Sequence, residues 1–289
     1  MLNKKMKMYN GVEIPVIGLG TWLIPDNVAA EAVRTALKLG YRHIDTAEAY
    51  GNERGVGEGI RTSGIPREEI FLQTKLAAEI KDYEGAVKAI NESFEKLGVD
   101  YIDLMIIHCP QPWACFRNGK HYEEGNLAAW KALCEFYKAG KIKAIGVSNF
   151  EIYDIENIVN NSDVKPMVNQ ILCHIGNTDF ELIDYCQKND IIIEAYSPIA
   201  HGELLNNELV KSMANKYGVS IPQLCIRYTL QLNTVSLPKT VHEEYMKSNA
   251  DVNFVISDED MDTLGRIDPM HAKDYGKSSF WPCYSKQVK

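Results

Sequence analysis

The sequence predicts a (β/α)8 barrel, the TIM-barrel architecture, on three observations. Short apolar runs alternate with amphipathic stretches rich in Ala, Leu, Glu and Lys, and eight such units can be counted along the chain. Glycines follow four of the amphipathic stretches where a left-handed helix cap would fall: Gly40, Gly98, Gly140 and Gly218. The 289 residues show no Gly/Ser or Pro linker and no break in composition, so one barrel domain over 1–289 is expected. A doubly wound open sheet is the alternative architecture, and eight units favour closure over it.

Before the first unit, MKMYNGVEIPVI places a Tyr-Asn-Gly turn between two short extended runs, a β-hairpin suited to closing the barrel floor. The strand candidates follow at 16–19, 43–46, 71–75, 102–108, 144–148, 167–170, 191–196 and 234–237. Helix candidates between them include 28–39, 83–97, 127–139, 180–188 and 207–217. Gly55, Gly57 and Gly59 in ERGVGEGIR fall in a helix after the second strand, so they read as helix packing or fraying and not as a dinucleotide-binding loop, which follows a first strand.

Composition narrows the partners. An apolar content of 45% and a charged content of 24% are those of a globular chain. The formal charge of −8 argues against nucleic acid, whose binding draws on clustered Lys and Arg, and favours a small molecule. The N-terminus lacks the apolar run of a secretory signal, and no window approaches the ~20 apolar residues of a membrane span. Seven scattered cysteines without a C-x-x-C pair predict reduced thiols and a cytoplasmic location. No metal is expected, because structural-zinc spacing and HExxH are both lacking.

In a (β/α)8 barrel, chemistry collects at the C-terminal ends of the strands. Seven of the eight runs end on a polar or titratable side chain: Asp45 with Tyr50 just beyond, Lys75, His108, Ser148 with Asn149, Gln170, Tyr196 with Ser197, and Lys239 with Thr240. Any one of these is equally well a strand turning polar as it meets water. Together, Asp45, Tyr50, Lys75 and His108 make sense as a proton-donor assembly. A phenol with an unperturbed pKa of about 10 donates poorly near neutrality unless a cation stabilises its phenolate, and Lys75 is placed to be that cation. A buried ammonium needs a counter-ion, which Asp45 supplies, and His108 can orient a substrate oxygen.

These segments resemble the aldo-keto reductases over nearly the whole chain. The resemblance rests on IGLGTW at 17–22, GYRHIDTAEAYGNE at 40–53, TKL at 74–76, DLMIIHCP at 103–110, GKIKAIGVSNF at 140–150, VNQ at 168–170, AYSPIAHG at 195–202 and LPKT at 237–240. It implies a monomeric barrel that binds NADP(H) and moves hydride between nicotinamide and a small carbonyl or alcohol substrate. It puts the catalytic tetrad on Asp45, Tyr50, Lys75 and His108, with Tyr50 as general acid in reduction. It puts carboxamide binding on Ser148, Asn149 and Gln170, and ring stacking on Tyr196, with Ser197, Lys239, Thr240, Tyr245 and Asn249 completing the cofactor set. Trp22, Tyr50, His108, Cys109 and Trp113 are the expected substrate pocket.

Three departures from the family pattern matter. Tyr245 stands where an Arg is usual, and Ser248 where Glu commonly precedes Asn249, which weakens strict NADPH preference; NADP(H) stays favoured, with NAD(H) possible. His108-Cys109-Pro110 replaces His-Trp-Pro, so an opened pocket is expected beside His108. Ile175 replaces a proline after His174. His43 and His174 read as structural, and His201 as a solvated loop residue. The C-terminal aromatics Phe280, Trp281 and Tyr284 are expected to pack, by analogy at the pocket border, with docking elsewhere on the surface equally compatible. Two other functions are compatible with the sequence: a non-catalytic or slow nicotinamide-binding regulatory subunit, and a Schiff-base lyase using Lys75 as nucleophile.

Overall fold

Every strand of the main sheet runs parallel to its neighbours and pairs in chain order. The computed structural model describes residues 1–267, so the expectation for Phe280, Trp281 and Tyr284 lies outside the described residues. The barrel strands are β3 (Leu19–Gly20), β4 (His43–Asp45), β5 (Phe71–Leu76), β6 (Leu104–Ile107), β7 (Ile145–Ser148), β8 (Val168–Leu172), β9 (Ile192–Tyr196) and β10 (Val235–Leu237). The last strand bonds back to the first: Gly18 N–H donates to Ser236 O (3.0 Å), Ser236 N–H to Val16 O (2.8 Å) and Gly20 N–H to Pro238 O (3.0 Å). Those bonds close the barrel and exclude the open sheet.

The hairpin is formed by β1 (Lys5–Lys7) and β2 (Glu13–Pro15), antiparallel with Met6 opposite Ile14. It lies across the N-terminal strand ends. Tyr9 O–H donates to Lys165 O (2.7 Å) and Asn10 Nδ2 to Lys143 O (3.0 Å), the backbone just ahead of β8 and β7. Met8 and Ile14 are buried beneath it, so the floor is sealed by apolar side chains.

Ten helices surround the strands among the described residues: α1 (Asp26–Lys38), α2 (Glu53–Arg61), α3 (Tyr83–Leu97), α4 (Glu123–Lys138), α5 (Ile152–Asn161), α6 (Phe180–Lys188), α7 (Glu208–Tyr217), α8 (Ile221–Gln231), α9 (Glu243–Ala250) and α10 (Asp258–Gly265). Gly98 and Gly218 cap α3 and α7 in the left-handed conformation, with φ of 62° and 65°. The glycines of α2 do pack: a Cβ on Gly57 would lie 2.0 Å from Leu97 O at the end of α3, and one on Gly55 2.1 Å from Asp26 O of α1. Among the boundaries that differ from the sequence expectation, two do so for evident local reasons. α4 begins four residues early because its first turn, Glu123 and Glu124, is acidic and carries no apolar signal. β6 is shorter than 102–108 because the Asp103 carboxylate accepts Leu72 N–H (3.0 Å) and interrupts the ladder, leaving Ile102 on an isolated bridge to Ile142.

Candidate active site

Side chains alternate along a strand, so a residue at a strand's C-terminal end and the one two before it both face the barrel axis. That rule stacks two polar layers in this barrel. Asp45, Lys75, Gln170 and Tyr196 form the upper layer, and His43, Gln73 and Glu194, each two residues earlier on β4, β5 and β9, lie beneath.

Lys75 is fully buried and donates three ways from one ammonium: to Asp45 Oδ1 (2.6 Å), Thr46 O (2.9 Å) and Tyr50 Oη (3.2 Å). Burial works against its charge, but Asp45 and Tyr50 outweigh that and hold it above the ordinary lysine value. Such a lysine is a fixed cation and a poor amine nucleophile, which leaves the Schiff-base reading without support. Tyr50 arrives on a 3-10 turn, Glu48–Tyr50, that Gly51 closes at φ 68°. Its hydroxyl accepts from Lys75, so its own O–H is left to donate.

The Tyr50 phenol lies above its usual range. Burial raises it most, and the Lys75 charge pulls it back only in part. The expected help from the Lys75 cation is present, but burial outweighs it. At neutral pH the phenol is protonated and able to give a proton, but only where a developing oxyanion draws it out. His108 sits edge-on to Tyr50 (ring centroids 5.5 Å) and to Trp113 (5.1 Å). Burial, then Lys75 and Lys81, hold it well below the ordinary histidine value, so it is a neutral imidazole.

A cavity of about 1030 Å³ opens above this layer. At one end it is lined by Trp22, Leu23, Tyr50, Glu79, His108 and Trp113. Ser148, Asn149, Gln170, Tyr196 and Ser197 form its middle, and Lys239, Thr240, Tyr245, Ser248 and Asn249 the far end. Cys109 is a correction: its side chain is fully buried and does not line the cavity, because strand alternation turns it away from the face His108 occupies. Its carbonyl accepts from Lys81 Nζ (2.8 Å), and Trp113 is the large ring beside His108.

The middle of the cavity is tied together by hydrogen bonds. Ser148 Oγ donates to Gln170 O (2.9 Å), and Asn149 Nδ2 donates to His108 O (3.1 Å) and Ser148 Oγ (3.0 Å). Tyr196 O–H donates to Asn149 Oδ1 (2.8 Å), which fixes the edge of its ring. Asn149 adopts φ 61°, a conformation Asn tolerates better than most side chains. At the far end Lys239 is exposed at the end of β10, and Thr240 Oγ1 accepts His242 N–H (3.1 Å) just ahead of α9.

Four contributors were not anticipated as part of the site. Leu23 and Glu79 line the Trp22 end of the cavity from loops, and His201 is partly buried against Trp22 (5.4 Å) where a solvated loop residue was expected. Glu194 is fully enclosed below the cavity and accepts Gln170 Nε2 (2.9 Å) and Gln73 Nε2 (2.7 Å). Its signal was present in the sequence: a carboxylate in the apolar run IIIEAY, two residues before Tyr196. Among the described residues no group of three or more His, Cys, Asp or Glu is placed to hold a metal, and no helix is long and apolar enough to cross a membrane.

Comparison with known proteins gives concordant matches. The model of the Aldo/keto reductase family matches residues 16–269. A glyoxal reductase from Bacillus subtilis is 42% identical over 269 residues, covering 92% of this chain and 93% of its own. An aldo/keto reductase from Brucella melitensis superposes with a TM-score of 0.85 at 39% identity, covering 92% of this chain and 99% of its own. A Bombyx mori aldo-keto reductase solved in complex with NADP has a TM-score of 0.83 at 31% identity, covering 93% and 94%.

Proposed function

This chain belongs to the aldo/keto reductase family, and on that premise we propose that it reduces a small aldehyde or ketone to an alcohol with NADPH, residues 1–289 acting as one catalytic unit. The observation that carries the reading is the single buried ammonium of Lys75 bonded to both Asp45 and Tyr50 at the cavity floor.

The residues present fit a nicotinamide dinucleotide. The cavity is long and large enough, its middle offers amide and hydroxyl groups for a carboxamide beside the flat Tyr196 ring, and its far end offers the Lys239 cation. A nicotinamide held there would supply hydride to the carbonyl carbon. Tyr50 then gives its proton to the carbonyl oxygen as negative charge builds there. Lys75 offsets the phenolate left behind, and Asp45 keeps Lys75 charged and aimed. The neutral His108 holds the substrate oxygen by a hydrogen bond, which also excludes water from that position. Ser148, Asn149 and Gln170 fix the face of the ring turned towards the substrate.

Lys239 beside the start of α9 would receive a 2′-phosphate and so favours NADPH, while Tyr245 in the place of an arginine leaves NADH usable. Trp22, Leu23 and Trp113 favour an apolar substrate body, and the Glu79 carboxylate disfavours an acidic one. The chain is proposed to act as a monomer in the cytoplasm, on the family resemblance and on its scattered, odd-numbered cysteines respectively.

The test is Tyr50→Phe. Tryptophan fluorescence quenching by NADPH should persist, while aldehyde-dependent loss of NADPH absorbance should fall by about 10²–10⁴-fold, the usual worth of a positioned general acid. Unchanged turnover in that variant defeats the mechanism.

A further inference from the structure

Below the cavity floor is a buried polar cell that the reaction as derived does not use. His43, Gln73 and Glu194 are each fully enclosed in the barrel. His43 Nδ1 lies 3.3 Å from Pro15 O, and its Nε2 lies 3.0 Å from Gln73 Oε1 and 3.6 Å from Glu194 Oε1. Pro15 O and Gln73 Oε1 are both acceptors within hydrogen-bond reach, whereas Glu194 Oε1 stands at ion-pair distance, a buried carboxylate oxygen with no hydrogen-bond partner of its own. A neutral imidazole carries one N–H and a carboxylate none, so the contacts require one more proton than those two forms hold. His43 and Glu194 therefore keep one proton between them.

On its other oxygen Glu194 accepts two amides, Gln73 Nε2 (2.7 Å) and Gln170 Nε2 (2.9 Å). Gln170 Nε2 also donates to Asp45 Oδ1 (3.2 Å). Both N–H groups of the Gln170 amide are thus spent on carboxylates, Glu194 beneath it and Asp45 beside it in the same layer. What the amide has left is its carbonyl oxygen, and Gln170 lines the cavity. An amide can flip end for end, and two carboxylate acceptors at its nitrogen forbid the flip.

We propose that Glu194 is a positioning residue: holding a proton in common with His43, it locks the Gln170 amide with its carbonyl oxygen presented to the carboxamide of the nicotinamide. The inference rests on the cofactor reading of Gln170 given above. The groups facing Glu194 are His43 and Asp45 on β4, Gln73 and Lys75 on β5 and Gln170 on β8. Burial pushes Glu194 up to about 7, with the nearby Asp45 adding to it, and pushes His43 down, so burial works against charge on both groups. Asp45 is thereby spared a second full negative charge beside it, and stays committed to Lys75.

The experiment compares equilibrium binding of NADPH with that of 2′,5′-ADP, which has the phosphate end of the cofactor and no nicotinamide. Glu194→Met removes the acceptor and should weaken NADPH about tenfold, one hydrogen bond's worth, while leaving 2′,5′-ADP unchanged. Glu194→Gln should recover most of that loss, because its carbonyl oxygen still accepts both amides and its NH2 takes the place of the shared proton. In a Gln170→Leu background, Glu194→Met should have no further effect on NADPH. Should Glu194→Met not fold, Glu194→Asp, which draws the acceptor back by one methylene, is read in the same way. The proposal is overturned if folded Glu194→Met binds NADPH as the parent does, if it loses both ligands in proportion, or if Glu194→Gln loses as much as Met. A parent protein that binds NADPH no more tightly than 2′,5′-ADP would instead defeat the nicotinamide reading of Gln170 itself, before any variant is compared.

Discussion

Lys239 and Tyr245 stand at the far end of the cavity with different chemistry to offer, and they decide cofactor choice. The Lys239 ammonium is exposed at a strand end, free to swing onto a phosphate, whereas the Tyr245 ring is 55% exposed on α9 with His242 at its edge (5.4 Å). A charge-assisted hydrogen bond to phosphate contributes about 1.5–3 kcal/mol, so Lys239→Ala should weaken NADPH by roughly ten- to a hundredfold and NADH far less. Tyr245→Phe keeps the ring and should alter both less than Lys239→Ala alters NADPH. Competitive fluorescence titration of the two nucleotides checks the ranking, and the reverse order would move the phosphate site away from Lys239. The residues that line this cavity were legible in the sequence wherever a polar side chain ended an apolar run, as with Asp45, Lys75, His108 and Gln170. Glu194, Gln73 and His43 were passed over as partners because they lie inside the runs, where a polar residue has no edge to mark it. Cys109 was misplaced because adjacency in sequence to His108 means opposite faces on a strand.

At the level of elements, α2 shows how a helix of low intrinsic propensity is held. Gly55, Gly57 and Gly59 cost helix propensity, roughly 1 kcal/mol each relative to Ala. They are retained because backbone of α1 and α3 occupies the space a side chain would need. Gly57→Ala should therefore destabilise the protein by about 1–3 kcal/mol despite its better propensity, since Leu97 O is backbone and cannot step aside. Glu58→Ala on the exposed face of the same helix should change stability by less than about 0.5 kcal/mol. Urea midpoints of the two variants decide this, and a stabilised Gly57→Ala would mean that α2 and α3 sit further apart. This helix was readable as a packing helix from its glycines, and the strands were readable from their apolar runs. α5, α8 and α10 were not picked out, and α10 shows why: only Asp260 and Leu264 are buried on it, so it presents too narrow an apolar stripe to register.

For the whole molecule, closing the sheet on itself forces polar groups into a space without water, and the pH dependence of stability records the cost. His174, fully buried in the loop after β8 with Nδ1 against Ile175 O (2.8 Å), is pushed down to about 4 by that burial. Its folded value is below the ~6.5 of an unfolded chain, so in acid the unfolded chain takes up a proton that the folded one refuses. Stability is therefore present above pH ~6.5 and is lost as pH falls towards the folded value, at up to about 1.4 kcal/mol per pH unit. His43 and His108, also lowered, act in the same direction. Glu194 acts in the opposite one: raised to about 7, it contributes stability that is complete below the unfolded carboxylate value and is lost as pH rises through 7. Burial also lowers His201 and raises Glu53 and Asp154, so four histidines that resist protonation in acid stand against three carboxylates that resist ionisation. Between pH 7.5 and pH 5, His174→Asn should lose about 2 kcal/mol less stability than the parent, whatever its stability at the higher pH, because Asn carries the polar contact without the titration. Urea denaturation of both proteins at the two pH values measures that difference. An identical loss in parent and variant would mean that His174 is able to take up a proton in the folded barrel, and that acid opens the protein from somewhere else.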